Sequence, residues 1–151
     1  MNNILGTTQV CQVGLVVHDI EKSLDAYCEV FGIPRPPVQI TDEYELSKAV
    51  YRGQPTRARA KLAFINMGQV QIELIEPVGE SSTWKEALDE KGEGVHHIAF
   101  VVKDTNQVVK DLSQKDMPMV QQGHYTGGMY TYVDCVEKLG VTLELLENFN
   151  K

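Results

Sequence analysis

Two strand-like runs of apolar residues lie 85 positions apart along the chain. Segment 12–19 reads QVGLVVHD and segment 97–104 reads HIAFVVKD, so each run has β-branched residues, few charges and a closing Asp. Side chains alternate between the two faces of a strand, so residues 12 and 14 share one face, and 97 and 99 do likewise. Both segments are predicted to be strands, and their similarity predicts an internal repeat.

A helix is predicted after each of these strands. After the first, Asp19 is placed to cap a helix that Gly32 ends. Its apolar stripe consists of Leu24, Tyr27, Val30 and Phe31. After the second, Asp104 or Thr105 is placed to cap a helix, and Pro118 closes the segment. Its apolar stripe consists of Val108, Val109 and Leu112.

The two halves also end alike, since segment 71–77 (QIELIEP) resembles segment 142–148 (TLELLEN). Further strands are predicted at Glu45–Arg52, Arg57–Met67, Met119–Tyr125 and Met129–Asp134. The chain is therefore predicted to be an α+β protein of two βαβββ modules, about 10–76 and about 95–147, paired around one shared cleft. A linker, 77–94, is predicted to contain a short helix from about Thr83 to Lys91.

Four polar residues occupy matching positions on the apolar strands. These are Gln12, Glu73, His97 and Glu144. Singly, each has an ordinary interpretation as an edge amide, a solvent-facing carboxylate or a core histidine. If all four are buried on these strands without a partner, each costs a few kcal/mol of folding free energy. One divalent cation held by all four would remove that cost, and this mixed nitrogen and oxygen set suits Zn, Co, Ni or Mn.

Neighbouring residues are predicted to point away from this site. Adjacent strand residues face opposite ways, so His96 and His97 are predicted to lie on opposite faces. Glu76 and Glu147 are predicted to face solvent. His96, Glu76 and Glu147 are therefore not expected to contribute to the cation site.

The pattern resembles the vicinal oxygen chelate (glyoxalase/bleomycin resistance/dioxygenase) superfamily over about Val10 to Glu147. Segments 73–77 (ELIEP) and 92–100 (GEGVHHIAF) look most like its methylmalonyl-CoA epimerase branch. The resemblance implies a single domain over 1–151 and homodimer formation. It also implies a cation held by the same four residues: Gln12, Glu73, His97 and Glu144.

The activity expected from this resemblance is a metal-dependent isomerisation in which a proton is abstracted alpha to a carbonyl. Glu144 is the expected base, with Glu73 as its partner on the other face. A lactoylglutathione lyase of the glyoxalase I type is an alternative, because its zinc-type members carry the same Gln, Glu, His and Glu set. A non-enzymatic small-molecule binding protein is a further alternative. An extradiol dioxygenase is disfavoured because it needs two histidines and one carboxylate.

A local basic patch interrupts an acidic chain whose net charge is −7. Between Leu46 and Ile72 there is no carboxylate, and Arg57, Arg59 and Lys61 alternate within that window. The three side chains are predicted to share a face and to anchor an anionic substrate, either an acyl-CoA or a glutathione adduct. The alternative is a solvated strand edge protected by positive charge.

Composition narrows the partners and the location. The acidic balance argues against a nucleic-acid partner, and no apolar run approaches the length of a membrane span. Segment 1–8 has no features of a secretory signal. The three cysteines are odd in number and widely spaced, which is typical of reduced thiols. A cytoplasmic location is therefore predicted.

Overall fold

The computed structural model describes residues 3–149. Positions 1, 2, 150 and 151 of the predicted domain, the first two of which also belong to segment 1–8, lie outside the described residues. The strands are β1 (Gln12–Val16), β2 (Gln39–Ile40), β3 (Val50–Tyr51), β4 (Gln54–Pro55), β5 (Arg59–Asn66), β6 (Gln71–Val78), β7 (Gly94–Val101), β8 (Met119–Tyr125), β9 (Gly128–Val133) and β10 (Thr142–Asn148). The helices are α1 (Ile20–Phe31), α2 (Tyr44–Ser47), α3 (Thr83–Lys91), α4 (Thr105–Ser113) and α5 (Val136–Leu139).

All of these strands belong to one curled sheet in the order β2-β5-β6-β1-β7-β10-β9-β8-β3-β4. β1 runs parallel to β6, and β7 runs parallel to β10, so the centre of each half is built alike. The halves meet where β1 and β7 pair antiparallel. The predicted α+β class is therefore confirmed, and the strand order matches the arrangement predicted for two paired modules.

The segment 45–52 was the main error of the secondary-structure prediction. Instead of one strand, α2 is followed by Lys48 in the left-handed region (φ 49°), and only then by the short β3. Leu46 completed the apparent alternation in the sequence, yet its side chain is 70% exposed. The fourth strand of the first half is β2, which pairs with β5, whereas the β3–β4 hairpin crosses to pair with β8 of the second half.

The predicted helices form with their predicted caps. The Asp19 side chain accepts hydrogen bonds from the first turn of α1, and Gly32 ends that helix at φ 62°. Asp104 caps α4, whose Val108 and Leu112 are buried as predicted. The linker helix α3 has the bounds expected from sequence.

The apolar stripe of α1 was predicted too far along the helix. Ile20 and Leu24 are fully buried, and Tyr27 packs at the edge of the same cluster. In contrast, Val30 and Phe31 are 73% and 51% exposed. The last turn of α1 thus extends beyond the cluster, which the first two turns cover.

Glu76 and Glu147 do not simply face solvent, as had been predicted. Glu76 Oε1 accepts a hydrogen bond from the backbone N–H of Ile20 at 2.9 Å, and Glu147 Oε1 accepts one from Thr105 at 3.0 Å. Both donors lie at the start of a helix, where N–H groups lack helical partners and the helix dipole favours negative charge. Each final strand therefore ties down the helix of its own half.

Three hydrophobic clusters support the sheet. One lies beneath α1 and one beneath α4, on the outer face of each half. The third lies between the sheet and α3, where Trp84 and Leu88 meet Ile75 and Tyr132. Trp84 also lines the cavity described below, so α3 lies beside that cavity.

Two further sequence predictions concern membrane spans and cysteines. Within residues 3–149, no helix combines the length and apolar character that crossing a bilayer requires. All three cysteines, Cys11, Cys28 and Cys135, are free thiols.

Candidate metal centre and cavity

Four side chains from the four central strands converge on one buried point. The Nε2 atom of His97 lies 2.9 Å from Gln12 Oε1, 3.0 Å from Glu144 Oε1 and 3.5 Å from Glu73 Oε1. None of the four residues is more than 6% exposed. The structure therefore brings together all four residues that the sequence singled out as ligands.

Gly14 makes room for the imidazole at the centre of this group. It faces His97 across the β1–β7 pairing and Glu73 across the β1–β6 pairing. A Cβ atom at position 14 would lie 2.1 Å from His97 Cε1, so a side chain there excludes the observed ring position. Sequence reasoning missed this residue. The available signal was a glycine within a β-branched strand, on the same face as Gln12.

His96 and His97 do not point to opposite faces, because a β-bulge interrupts the strand alternation. Gly14 pairs with His97, whereas Leu15 pairs with Val95, which leaves His96 as the extra residue. Both imidazoles are buried, and their Nδ1 atoms lie 2.9 Å apart. Burial, and then the neighbouring His97, lower the pKa of His96 well below its usual value.

The two carboxylates are costly to bury side by side. Burial first, and the charge of Glu144 second, raise the pKa of Glu73 well above its usual value. Lys and Arg side chains are absent from the described cavity lining. A bound cation would supply the missing positive charge and offset the cost of burying an ionised carboxylate here.

The amide of Gln12 provides a test of whether a cation fits. The Nε2 atom donates to Gln71 Oε1 at 2.7 Å, which points Oε1 toward the carboxylates. The amide atom on that side lies 3.0 Å from Glu144 Oε1 and 3.1 Å from Glu73 Oε1. Turning the amide over would place nitrogen there, but would bring two amide oxygens within 2.7 Å at Gln71. With Oε1 on this side, three oxygens and one imidazole nitrogen point to one place, which fits a divalent cation. Turning over the amides of both Gln12 and Gln71 would direct nitrogen there instead, so a bound cation is what would select the arrangement with oxygen inward.

A cavity of about 470 Å³ opens above these residues. Its lining is mostly apolar and aromatic: Ile40, Ala49, Ala58, Leu62, Phe64, Trp84, Tyr125, Tyr130, Tyr132 and Leu146. Trp84 Nε1 donates to the Tyr132 hydroxyl at 2.9 Å, and Gln121 Nε2 donates to the Tyr130 hydroxyl at 3.0 Å. The aromatic wall is therefore held in place by its own hydrogen bonds.

Besides its tyrosines, the lining contains two titratable side chains that were not predicted as site residues. Asp42 lies between β2 and α2, and His124 lies in β8. Asp42 reaches the cavity because the chain leaves the first half at this point to form the β3–β4 hairpin on the second. No local sequence pattern could have indicated that crossing.

The basic residues of β5 do not line the cavity. Leu62 and Phe64 line it, so the alternating Arg59 and Lys61 face the other side of the sheet. Each of these basic side chains, and that of the nearby Arg57, has a carboxylate oxygen within 3.2–3.8 Å of its nitrogen. The pairs are Arg57 with Glu45, Arg59 with Glu43 and Lys61 with Glu76. Each of the three basic residues thus has a carboxylate partner at this surface, and their role in anchoring an anionic substrate stays a prediction.

The fold and the site together define a class of protein. It is an α+β chain whose two halves share one buried candidate cation site beneath a largely apolar cavity. The family model described as the Glyoxalase/Bleomycin resistance protein/Dioxygenase superfamily matches residues 11–133, and the chain belongs to this superfamily.

Individual relatives are distant. The uncharacterized protein YqjC of Bacillus subtilis (strain 168) is 27% identical over 139 residues, which is 89% of each chain. Human mitochondrial methylmalonyl-CoA epimerase is 28% identical over 104 residues, covering 68% of this chain and 51% of the human one. This chain thus spans about half the length of that enzyme. The methylmalonyl-CoA epimerase of Mycobacterium tuberculosis has a similar fold, with a TM-score of 0.66 and 22% identity over 98% of this chain and 93% of that one.

Proposed function

We propose that the chain is a metal-dependent isomerase that removes a proton alpha to the carbonyl of an acyl-CoA thioester, in the manner of a methylmalonyl-CoA epimerase. The observation that carries this proposal is the carboxylate pair, since Glu73 and Glu144 each place an oxygen within 3.5 Å of the same nitrogen of His97. Similarity to methylmalonyl-CoA epimerases supports the choice of substrate class.

Four residues would hold the cation: Gln12, Glu73, His97 and Glu144. When bound, a divalent cation supplies positive charge where negative charge develops on the carbonyl oxygen, which makes the adjacent carbon a stronger acid. Zn, Co, Ni and Mn are the candidates consistent with this ligand set.

The two carboxylates account for the proton transfers. In the proposed reaction, Glu144 Oε1 accepts the proton from one face of the alpha carbon. Glu73, which is protonated at the start of this direction of the reaction, gives its proton to the opposite face and so inverts the configuration. Glu144 then holds the proton that Glu73 has lost, and exchange with solvent restores the starting state of both carboxyl groups. Trp84, Tyr130 and Tyr132 shield these groups from water, which strengthens the electrostatic interactions within the cavity.

Proton exchange in deuterated water tests this function directly. With methylmalonyl-CoA and a supplied divalent cation, the alpha proton is expected to exchange for deuterium, as followed by NMR. Glu144→Gln is expected to slow exchange by about 100-fold or more, because a positioned base is removed. Glu29→Gln is the matched control, because Glu29 is exposed on α1, away from the cavity. Wild-type protein that binds the cation but catalyses no exchange would contradict the proposal.

A glyoxalase-type reaction is the second candidate, and one observation favours it. Gln12 completes a Gln, Glu, His and Glu set that resembles zinc-type glyoxalase I, and its amide lies 3.0–3.1 Å from the two carboxylates. Methylglyoxal with glutathione should then yield S-lactoylglutathione, detected by its thioester absorbance. Cation and ligand binding without turnover in either assay would instead favour a non-enzymatic binding protein.

A further inference from the structure

A chain of hydrogen bonds leads from the metal centre to the start of α3. His97 Nδ1 lies 2.9 Å from His96 Nδ1, and His96 Nε2 lies 3.1 Å from the hydroxyl oxygen of Thr83. The backbone N–H of Thr83 donates to Gln121 Oε1 at 2.8 Å. All four residues in this series of hydrogen bonds are buried.

The direction of these bonds follows once His97 Nε2 is committed to a cation. A neutral imidazole has one donor nitrogen and one acceptor nitrogen. With Nε2 of His97 acting as a ligand, its hydrogen sits on Nδ1 and is donated to His96 Nδ1. His96 then carries its own hydrogen on Nε2, which donates to the Thr83 hydroxyl. Only one arrangement of hydrogens therefore satisfies both rings.

Tight packing confines this arrangement to a single geometry. The ring centroids of His96 and His97 are 5.2 Å apart and their planes are nearly perpendicular. Tyr132 packs edge-on against His96 at 4.9 Å. The bulge in β7 is what places His96 behind His97, because regular alternation would turn it to the other face.

We propose that His96, supported by the Thr83 hydroxyl, is a positioning residue that sets the tautomer and orientation of His97 for cation binding. This inference rests on the proposed function, because it requires the cation site. His96 itself contacts neither the cation nor the substrate in this scheme. Its contribution is to make the ligand nitrogen of His97 available at a fixed place.

Three matched proteins test the proposal: wild type, Thr83→Val and Thr83→Ser. Valine has nearly the shape of threonine but removes the hydroxyl that accepts from His96 Nε2–H, whereas serine keeps a hydroxyl. Zn²⁺ affinity is measured by chelator competition. Thr83→Val is expected to weaken Zn²⁺ binding by about 10-fold, and Thr83→Ser to restore affinity close to wild type.

A second readout reports the tautomers without any substitution. In ¹⁵N-labelled, Zn²⁺-loaded wild-type protein, long-range ¹H–¹⁵N spectra should show hydrogen on Nδ1 of His97 and on Nε2 of His96. A hydrogen on Nδ1 of His96 would overturn the proposal. A Thr83→Val variant that loses stability but binds Zn²⁺ like wild type would also overturn it, since its role would then be structural alone.

The same experiment separates this inference from the proposed function. If wild type binds Zn²⁺ and Thr83→Val binds it equally well, the positioning role fails while the proposed function stands. If wild type binds none of Zn²⁺, Co²⁺, Ni²⁺ or Mn²⁺, both are overturned. If Thr83→Val alone is weakened and the tautomers are as expected, the positioning role is supported whichever substrate the enzyme uses.

Discussion

At the scale of single residues, Gly14 shows how a side chain that is missing can shape a site. The imidazole of His97 occupies the space where a Cβ of residue 14 would lie. Gln12, two positions earlier on the same face, supplies the amide of the site. One short strand therefore provides both a candidate ligand and the room that a second ligand needs.

Replacing Gly14 should therefore damage the cation site more than the fold. Gly14→Ala is expected to weaken Zn²⁺ binding by about 10-fold or more, because His97 must move to relieve a 2.1 Å contact. Val13→Ala, on the opposite face of β1, is the matched control and should cost stability without changing affinity. Competition with a chelator measures both. Equal affinities for Gly14→Ala and wild type would show that the ring position is not required.

At the scale of secondary-structure elements, the last strand of each half performs two tasks. β6 and β10 carry Glu73 and Glu144 on the cavity side. Three residues further on, Glu76 and Glu147 hold the first turns of α1 and α4. The spacing places these two tasks on opposite faces, because side chains alternate along a strand.

The helix-holding role predicts a measurable loss of stability. Glu147→Ala is expected to lower the free energy of unfolding by about 1 kcal/mol, because the N–H of Thr105 loses a charged acceptor at the start of α4. Urea denaturation measures the change. Glu29→Ala, an exposed change on α1, should stay within about 0.5 kcal/mol. A Glu147→Ala variant as stable as this control would indicate that the hydrogen bond contributes nothing.

At the scale of the whole molecule, the candidate cation site lies where the two halves meet. β1 and β7 form the junction, and each contributes one of the four ligands, Gln12 and His97. A cation there would bind only when both halves are folded and paired. Binding to the native state alone stabilises it by an amount that grows with cation concentration.

Removing the cation should therefore lower the thermal stability of the entire chain. At a free cation concentration about 100 times the dissociation constant, binding contributes about 2.7 kcal/mol. For a domain of this size, excess EDTA should then lower the Tm by about 5–10 °C. Glu144→Gln, which lacks one ligand charge, should respond far less. A wild-type Tm unaffected by both EDTA and added cation would contradict a cation site.

Homodimer formation and a cytoplasmic location stay predictions, and analytical ultracentrifugation would test the first.

The sequence by itself determined what depends on short-range pattern and on the repeat. The two matched segments and the matching ends of the two halves were enough to single out Gln12, Glu73, His97 and Glu144, because the four occupy equivalent positions of the repeat. Helix caps such as Asp19 also follow from local hydrogen bonding. These features need no knowledge of distant partners.

Tertiary structure alone decided the features that depend on pairing between distant segments. The β3–β4 hairpin joins β8 through backbone hydrogen bonds that no local pattern encodes, and this brings Asp42 to the cavity. The β1–β7 bulge turns His96 toward His97. The Arg59 side chain lies on the face of β5 away from the cavity, because apolar residues of the same strand line the cavity. In each case the outcome depends on pairing with another strand, and the sequence of a single segment does not specify the register of that pairing.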